Sequence, residues 1–164
     1  METSTTTDIA AVSKMLRERV ENMQGMDFVR ALIEGDLPES PLIEALGVRT
    51  ASAAPGEASL ETTPQPQQFN IIGSGHGGFL STLLDTALGL AVQTMTEPGV
   101  VWPTTDLHVR FRRPMTADSG RVVATGRVEH LGHSTATAAG EVRDGEGRVL
   151  ATATASFFAL RRQA

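Results

Sequence analysis

A single helix-forming segment set among strands limits this chain to few architectures. Leu80, Leu83, Leu84, Ala87, Leu88, Ala91, Val92 and Met95 recur at i, i+3, i+4, i+7, i+8, i+11, i+12 and i+15. That spacing predicts a helix over about 76–96 with a wide apolar face. The C-terminal half alternates with period two instead. In TDLHVRFRRP, Leu107, Val109 and Phe111 alternate with Asp106, His108, Arg110 and Arg112, the pattern of a strand with one buried face, and Pro114 ends it. Segments 121–132, 134–144 and 149–160 read the same way, the last two joined through the turn DGEGR. Upstream, 47–53 and 57–63 read as two short strands about the turn APGE. Short strands, one helix and four more strands predict the α+β class, an antiparallel sheet whose concave side holds one principal helix.

The first forty residues differ. Residues 1–7 are small and polar and read as disordered, and Asp8 is a candidate cap for a helix carrying Ile9, Val12, Leu16, Val20 and Met23 on one face. Gly25 interrupts it. Asp27 is a candidate cap for a shorter helix, FVRALIE, closed by Gly35, Pro38 and Pro41. These readings divide the chain into an N-terminal helical extension, 1–40, and a main domain, 41–164. Packing on the sheet or at an oligomer contact is the expected role of the extension.

Composition removes several function classes. The net charge of −5 and the absence of a basic block argue against a nucleic-acid surface. With no cysteine, neither a disulfide framework, a thiolate zinc site nor a cysteine nucleophile is available. The longest apolar run is broken at Asp85 and is shorter than the roughly 20 residues that span a bilayer, and no signal-peptide core precedes it. A cytoplasmic protein without membrane or nucleic-acid partners is expected.

Asp85 is the anomaly of the apolar helix. An ionised carboxylate is costly to bury without a partner, so a solvent-facing acid, or one satisfied by threonine or backbone groups, is the simplest reading. The preceding GSGHGG, with His76, Gly77 and Gly78, favours another: glycine leaves N–H groups unobstructed at a helix start, where the dipole favours a developing negative oxygen. Ser81, Asp85 and Gly89 form an i, i+4, i+8 stripe of mostly small residues that suits close approach. Gly77 and Asp85 lie eight residues apart, which is roughly 12 Å along one helix at about 1.5 Å per residue. They cannot serve one reacting carbonyl within one chain. A second copy, its helix antiparallel, would bring the acid of one subunit to the turn of the other, and a two-fold axis would make two such sites.

NIIGSGHGG with its downstream acid, TTDLHVRFRRP, and GHSTATAAGEVRDGEGRVLATATASF together resemble the hotdog-fold acyl-CoA thioesterases of the phenylacetate-degradation branch, over about residues 41–160. The resemblance implies a sheet of five or six antiparallel strands wrapped around the helix. It also implies pairing into a double hotdog, often as a dimer of dimers, with acyl-CoA as substrate and no cofactor or metal. Asp85 takes the position of the catalytic carboxylate, either a nucleophile giving a mixed anhydride or, the favoured role, a base activating water. Gly77 takes that of the N–H polarising the thioester carbonyl. Asn70 takes that of a side chain bonding near the thioester or the water, and His76 that of a support for the turn rather than a base. Gly78, Arg112, Arg113 and the turn His133, Ser134 and Thr135 are the candidates for binding substrate or the CoA phosphates, with Arg161 or Arg162 beside them. Leu84, Leu88 and Phe79 are candidates to line the acyl pocket. In a related branch a threonine four residues after the acid helps hold water; here that position is Gly89, and neither Thr86 nor Ser81 matches it.

Two other classes compete with this reading. A hotdog hydratase or dehydratase would require His76 and Asp85 to cooperate on an enoyl or hydroxyacyl thioester. A non-catalytic acyl-CoA-binding protein would need a reader of the bound state, and residues 1–40, with more acids than bases, are unsuited to DNA. A scaffold with a vestigial site is the remaining alternative.

Overall fold

The computed structural model describes residues 9–161; Asp8, Arg162 and the expected disordered start lie outside them. Helices α1 (Ile9–Asn22), α2 (Gly25–Glu34) and α3 (Pro41–Ala45) come first, followed by strands β1 (Arg49–Ala54) and β2 (Glu57–Thr62). A 3-10 turn (Pro66–Gln68) leads into the long helix α4 (Gly77–Gln93). Then come β3 (Val100–Val101), β4 (Thr104–Phe111), β5 (Val122–Leu131), β6 (Thr135–Arg143), β7 (Val149–Phe158) and β8 (Leu160–Arg161). Six strands form one antiparallel sheet in the order β1-β2-β5-β6-β7-β4, and β3 pairs with β8 apart from it.

The helix lies on the sheet because the sheet's inner residues are small. Leu83, Leu84, Ala87 and Leu88 share one buried core with Ala124, Ala136, Ala138, Ala151, Ala153 and Ala155. Gly126 and Gly140 stand opposite each other on β5 and β6. A Cβ on Gly126 would lie 2.5 Å from the Ala87 carbonyl oxygen, and one on Gly140 would lie 3.1 Å from Leu88 Cδ2. The helix backbone therefore rests directly on the strands, each fully buried leucine contributing about 1.5–3 kcal/mol.

The helix ends earlier than its apolar period suggested. Thr94 Oγ1 donates to the Ala91 carbonyl and Thr96 Oγ1 to that of Val92, so hydroxyls satisfy carbonyls of the last turn. Met95 lies past the end and is 45% exposed. Gly25 begins α2 rather than separating two helices: its N–H donates to the Thr96 carbonyl, and a Cβ there would overlap the Gln93 carbonyl. Asp27 consequently sits inside the first turn, pairing with Arg30 at 3.6 Å instead of capping. Leu16, Val20 and Met23 of the first helical segment pack with Phe28, Val29 and Leu32 of α2, as their spacing predicted. The short β3–β8 pair has no counterpart in the strand pattern of the sequence. Among the described residues, no helix is long and apolar enough to cross a membrane.

Candidate active site

The turn before α4 is built by its own polar groups. Asn70 Oδ1 accepts from the N–H groups of Ile72 (3.0 Å) and Ser74 (3.2 Å), while Asn70 Nδ2 donates to Ser74 Oγ (3.0 Å). Gly73, at φ +80°, completes the reversal. The N–H of Gly75 donates to the Met115 carbonyl and that of His76 to the Gln68 carbonyl, both at 2.8 Å, fixing the turn to the body. The Asn70 amide is thus engaged within its own turn, and Ile71 and Ile72 project into solvent.

His76 is the N-cap of α4. Its Nδ1 accepts from the Gly78 N–H at 2.9 Å, which requires that nitrogen to be unprotonated. Gly78 therefore has no donor to offer a ligand. The Gly77 N–H has no partner among the described residues, so this donor at the positive end of the helix is left for an incoming oxygen. Gly77 lies under the ring of Phe111: a Cβ would stand 3.0 Å from Phe111 Cζ.

Asp85 lies on the flank of the same helix, half-buried, its Oδ1 accepting from Thr104 Oγ1 at 2.8 Å. Thr104 reaches the acid because of an irregularity in β4. Asp106, His108 and Arg110 stand opposite Ser156, Thr154 and Thr152 on the outer face, but the register shifts between Thr104 and Asp106, so Thr104 stands opposite the buried Phe157. One extra residue re-aims the hydroxyl inward. Strict alternation would have placed Thr104 beside Asp106, which is why sequence reasoning missed it. Asp85, Thr86, Thr104, Thr105, Asp106, Leu107, Leu42, Ser81 and Thr82 line an open depression of about 460 Å³. Ser81 Oγ donates back to the Gly77 carbonyl (2.8 Å) and Thr82 Oγ1 to that of Gly78 (2.9 Å). Phe79, Leu84 and Leu88 are in the core, at most 5% exposed, on the part of α4 that packs on the sheet.

The other candidates separate into two groups. Arg112 and Arg113 join Gly77, Ser74, Gly75, Leu80, Phe111 and Pro114 around a groove of about 340 Å³ at the start of α4. The turn His133–Thr135 lies elsewhere, where Arg161 Nη2 donates to the His133 carbonyl at 2.7 Å and the Ala159 N–H to the Ser134 carbonyl at 2.9 Å. Arg161 and Gly132 border a depression with Met95, Thr96 and Trp102, past the other end of α4. At about 1.5 Å per residue, the 17 residues of α4 hold these groups roughly 25 Å apart. Asp85 and the Gly77 N–H likewise open into different depressions of one chain.

Comparison with known proteins agrees with this architecture. Residues 73–151 match the model of the thioesterase superfamily. A curated protein of Halobacterium salinarum named as an esterase is 31% identical over 144 residues, which cover 82% of this chain and 95% of that one. Among solved structures, the phenylacetic acid degradation protein PaaI of Thermus thermophilus, in a mutant form, is 34% identical with a TM-score of 0.66, covering 73% of this chain and 99% of that one. A thioesterase family protein of Silicibacter pomeroyi is 28% identical with a TM-score of 0.73, covering 82% and 99%. The PaaI protein of Escherichia coli is 25% identical with a TM-score of 0.70, covering 83% and 94%. The chain belongs to the thioesterase superfamily and is a thioester hydrolase with the hotdog fold.

Proposed function

We propose that the protein hydrolyses medium-chain or aromatic acyl-CoA thioesters in the cytoplasm, at two sites per homodimer, each combining Asp85 of one subunit with the Gly77 N–H of the other. The observation that carries this reading is the separation of an unpaired helix-start donor from the helix's only carboxylate, in two depressions of one chain. The similarity to PaaI proteins supports a substrate of the phenylacetyl type.

In this mechanism Asp85 takes a proton from a water molecule as its oxygen attacks the thioester carbonyl. The carbonyl oxygen becomes an oxyanion and accepts from the Gly77 N–H at the positive helix end. Collapse breaks the C–S bond, the CoA sulfur takes up the proton, and the free acid remains. The Thr104 hydroxyl holds the carboxylate in place, which suits the absence of a hydroxyl at Gly89. Arg112 and Arg113, which line the groove beside Gly77, take the CoA phosphates in this reading. Because the two helices run antiparallel, the partner's Arg112 and Arg113 and the subunit's own His133–Thr135 turn flank the same shared site, Ser134 and Thr135 adding polar contacts. Asn70 and His76 shape the turn that presents the donor, and the His76 cap leaves its Nδ1 unavailable for hydratase chemistry.

Release of free thiol from a panel of acyl-CoAs tests the reading. Asp85→Asn should lower kcat by at least about 10²-fold, the scale of a positioned acid–base group. Unchanged turnover would remove Asp85 from the mechanism, and loss of enoyl absorbance without thiol release would replace hydrolysis by hydration.

A further inference from the structure

A groove at the ends of β1 and β2 carries two arginines on a single acid. Gly47, Arg49, Glu61, Thr62, Thr63 and Arg121 are among its walls, and its volume is about 430 Å³, within the range of about 300–1,000 Å³ that small ligands occupy. It shares no residue with the groove at Gly77 or with the depression at Asp85.

Sheet pairing brings the charges together. Arg49 on β1 stands opposite Glu61 on β2, and Glu61 in turn stands opposite Val123 on β5. Arg121, two residues before Val123, reaches the same carboxylate from the other side. The Glu61 side chain is 10% exposed, and it meets Arg49 Nη2 on Oε1 and Arg121 Nε and Nη2 on Oε2. One guanidinium would suffice for this acid, as Arg127 does for Glu57 on the same sheet. Two cations on one anion leave a positive charge in excess, and they repel each other at close range. Among the described residues Arg49 Nε and Nη1, Arg121 Nη1 and the Thr63 hydroxyl donate to nothing.

We propose that this groove is a second anion site, separate from the groove at Gly77, and that it takes a phosphoryl group between Arg49 and Arg121. Guanidinium forks match phosphate oxygens, and the double charge of a phosphate monoester offsets the excess while each arginine keeps its bond to Glu61. Three free oxygens can meet two guanidiniums and a hydroxyl at once, which the two oxygens of a carboxylate cannot.

The walls are held before any ligand arrives. Thr62 Oγ1 donates to the Gly47 carbonyl at 2.8 Å. Nε2 of the fully buried Gln68 donates to Thr62 Oγ1 at 3.0 Å and to the Leu46 carbonyl at 2.9 Å. Glu61 fixes both arginines, so binding has little left to order.

Titration of the protein with inorganic phosphate, followed by amide NMR with the ionic strength held by chloride, reads the site directly. The Gly47, Thr62 and Thr63 signals should move and saturate. Arg49→Gln leaves Glu61 on Arg121, so the fold is kept, and phosphate should bind at least about tenfold more weakly at these signals. Arg121→Gln leaves Glu61 on Arg49, carries the same expectation and stands in if the first variant does not fold. Arg49→Lys keeps the charge without the fork and should fall between. Repeating the titration with AMP separates the sources: tighter binding than phosphate supports the site as one for a nucleotide, and binding no tighter supports it as one for free phosphate. Signals that never saturate, or variants that melt lower yet respond to phosphate as wild type does, would overturn the proposal and leave the arginines as structural partners of Glu61.

Discussion

Replacing Gly77 by proline removes one N–H, closes a three-carbon ring on the nitrogen and leaves the helix start intact. Position 77 is the first residue of α4, where proline's missing donor breaks no intrahelical bond and its fixed φ suits the helix. The preceding residue, His76, already has φ −65° and ψ 132°, the extended conformation that proline imposes on its neighbour. The added carbon meets Phe111 Cζ at 3.0 Å, and that ring, more than half exposed, has room to move. Gly77→Ala introduces the same Cβ and keeps the N–H, so the ratio of the two variants reports the N–H together with the Cγ and Cδ that close the proline ring. Loss of one oxyanion donor costs about 10²–10³ in kcat, or roughly 2.7–4 kcal/mol. With saturating acyl-CoA and thiol release as the readout, Gly77→Ala should retain most of its turnover while Gly77→Pro falls by that factor with unchanged helical dichroism. Proline and alanine variants within about threefold of each other would show that this N–H stabilises no oxyanion.

Thr104→Val deletes the hydroxyl that holds Asp85; because the site is open to water, kcat should fall about three- to tenfold, with Thr104→Ser close to wild type. In the β6–β7 turn, burial pushes the Asp144 carboxyl up, but bonds from the Arg148 side chain and N–H and from the Glu146 N–H outweigh it and hold the group below its ordinary range. A depressed folded value stabilises the protein above the ordinary carboxylate range near 4 and loses that contribution as pH falls through the folded value. Asp144→Asn should therefore melt below wild type at neutral pH, the gap closing in acid. Gly126→Ala forces a carbon to within 2.5 Å of the Ala87 carbonyl oxygen; denaturant titration should show a loss of about 3 kcal/mol or more, because backbone rather than a flexible side chain must move.

Periodicity conveyed the elements and missed what depends on pairing. The apolar face of α4 and the alternation of β4–β7 were legible because each buries one face, and burial imposes the period directly. Where hydroxyls or neighbouring backbone decide, the period is silent: Thr94 and Thr96 end α4 before Met95, and contact with α4 places Gly25 at a helix start. Thr104 escaped notice for the same reason, since a register shift is a property of two strands. Phe111 was assigned to the buried face by alternation, yet at the sheet edge that face is incompletely covered and the ring lies over Gly77 instead. Gly77 and Asp85 stood out in the sequence as candidates because an open helix start and a carboxylate in an apolar segment are both costly without a purpose. The occupied N–H of Gly78 was not legible, because the His76 cap that engages it is a side-chain rotamer.

The most direct test of a site shared between subunits is complementation. Asp85→Asn and Gly77→Pro, each inactive alone, are unfolded together and refolded as an equimolar mixture. Random pairing puts about half of the protein in mixed dimers, each with one lesion-free site of two, so about a quarter of wild-type activity should return. Mixed dimers detected by mass that show no activity beyond the two variants alone would contradict the shared site.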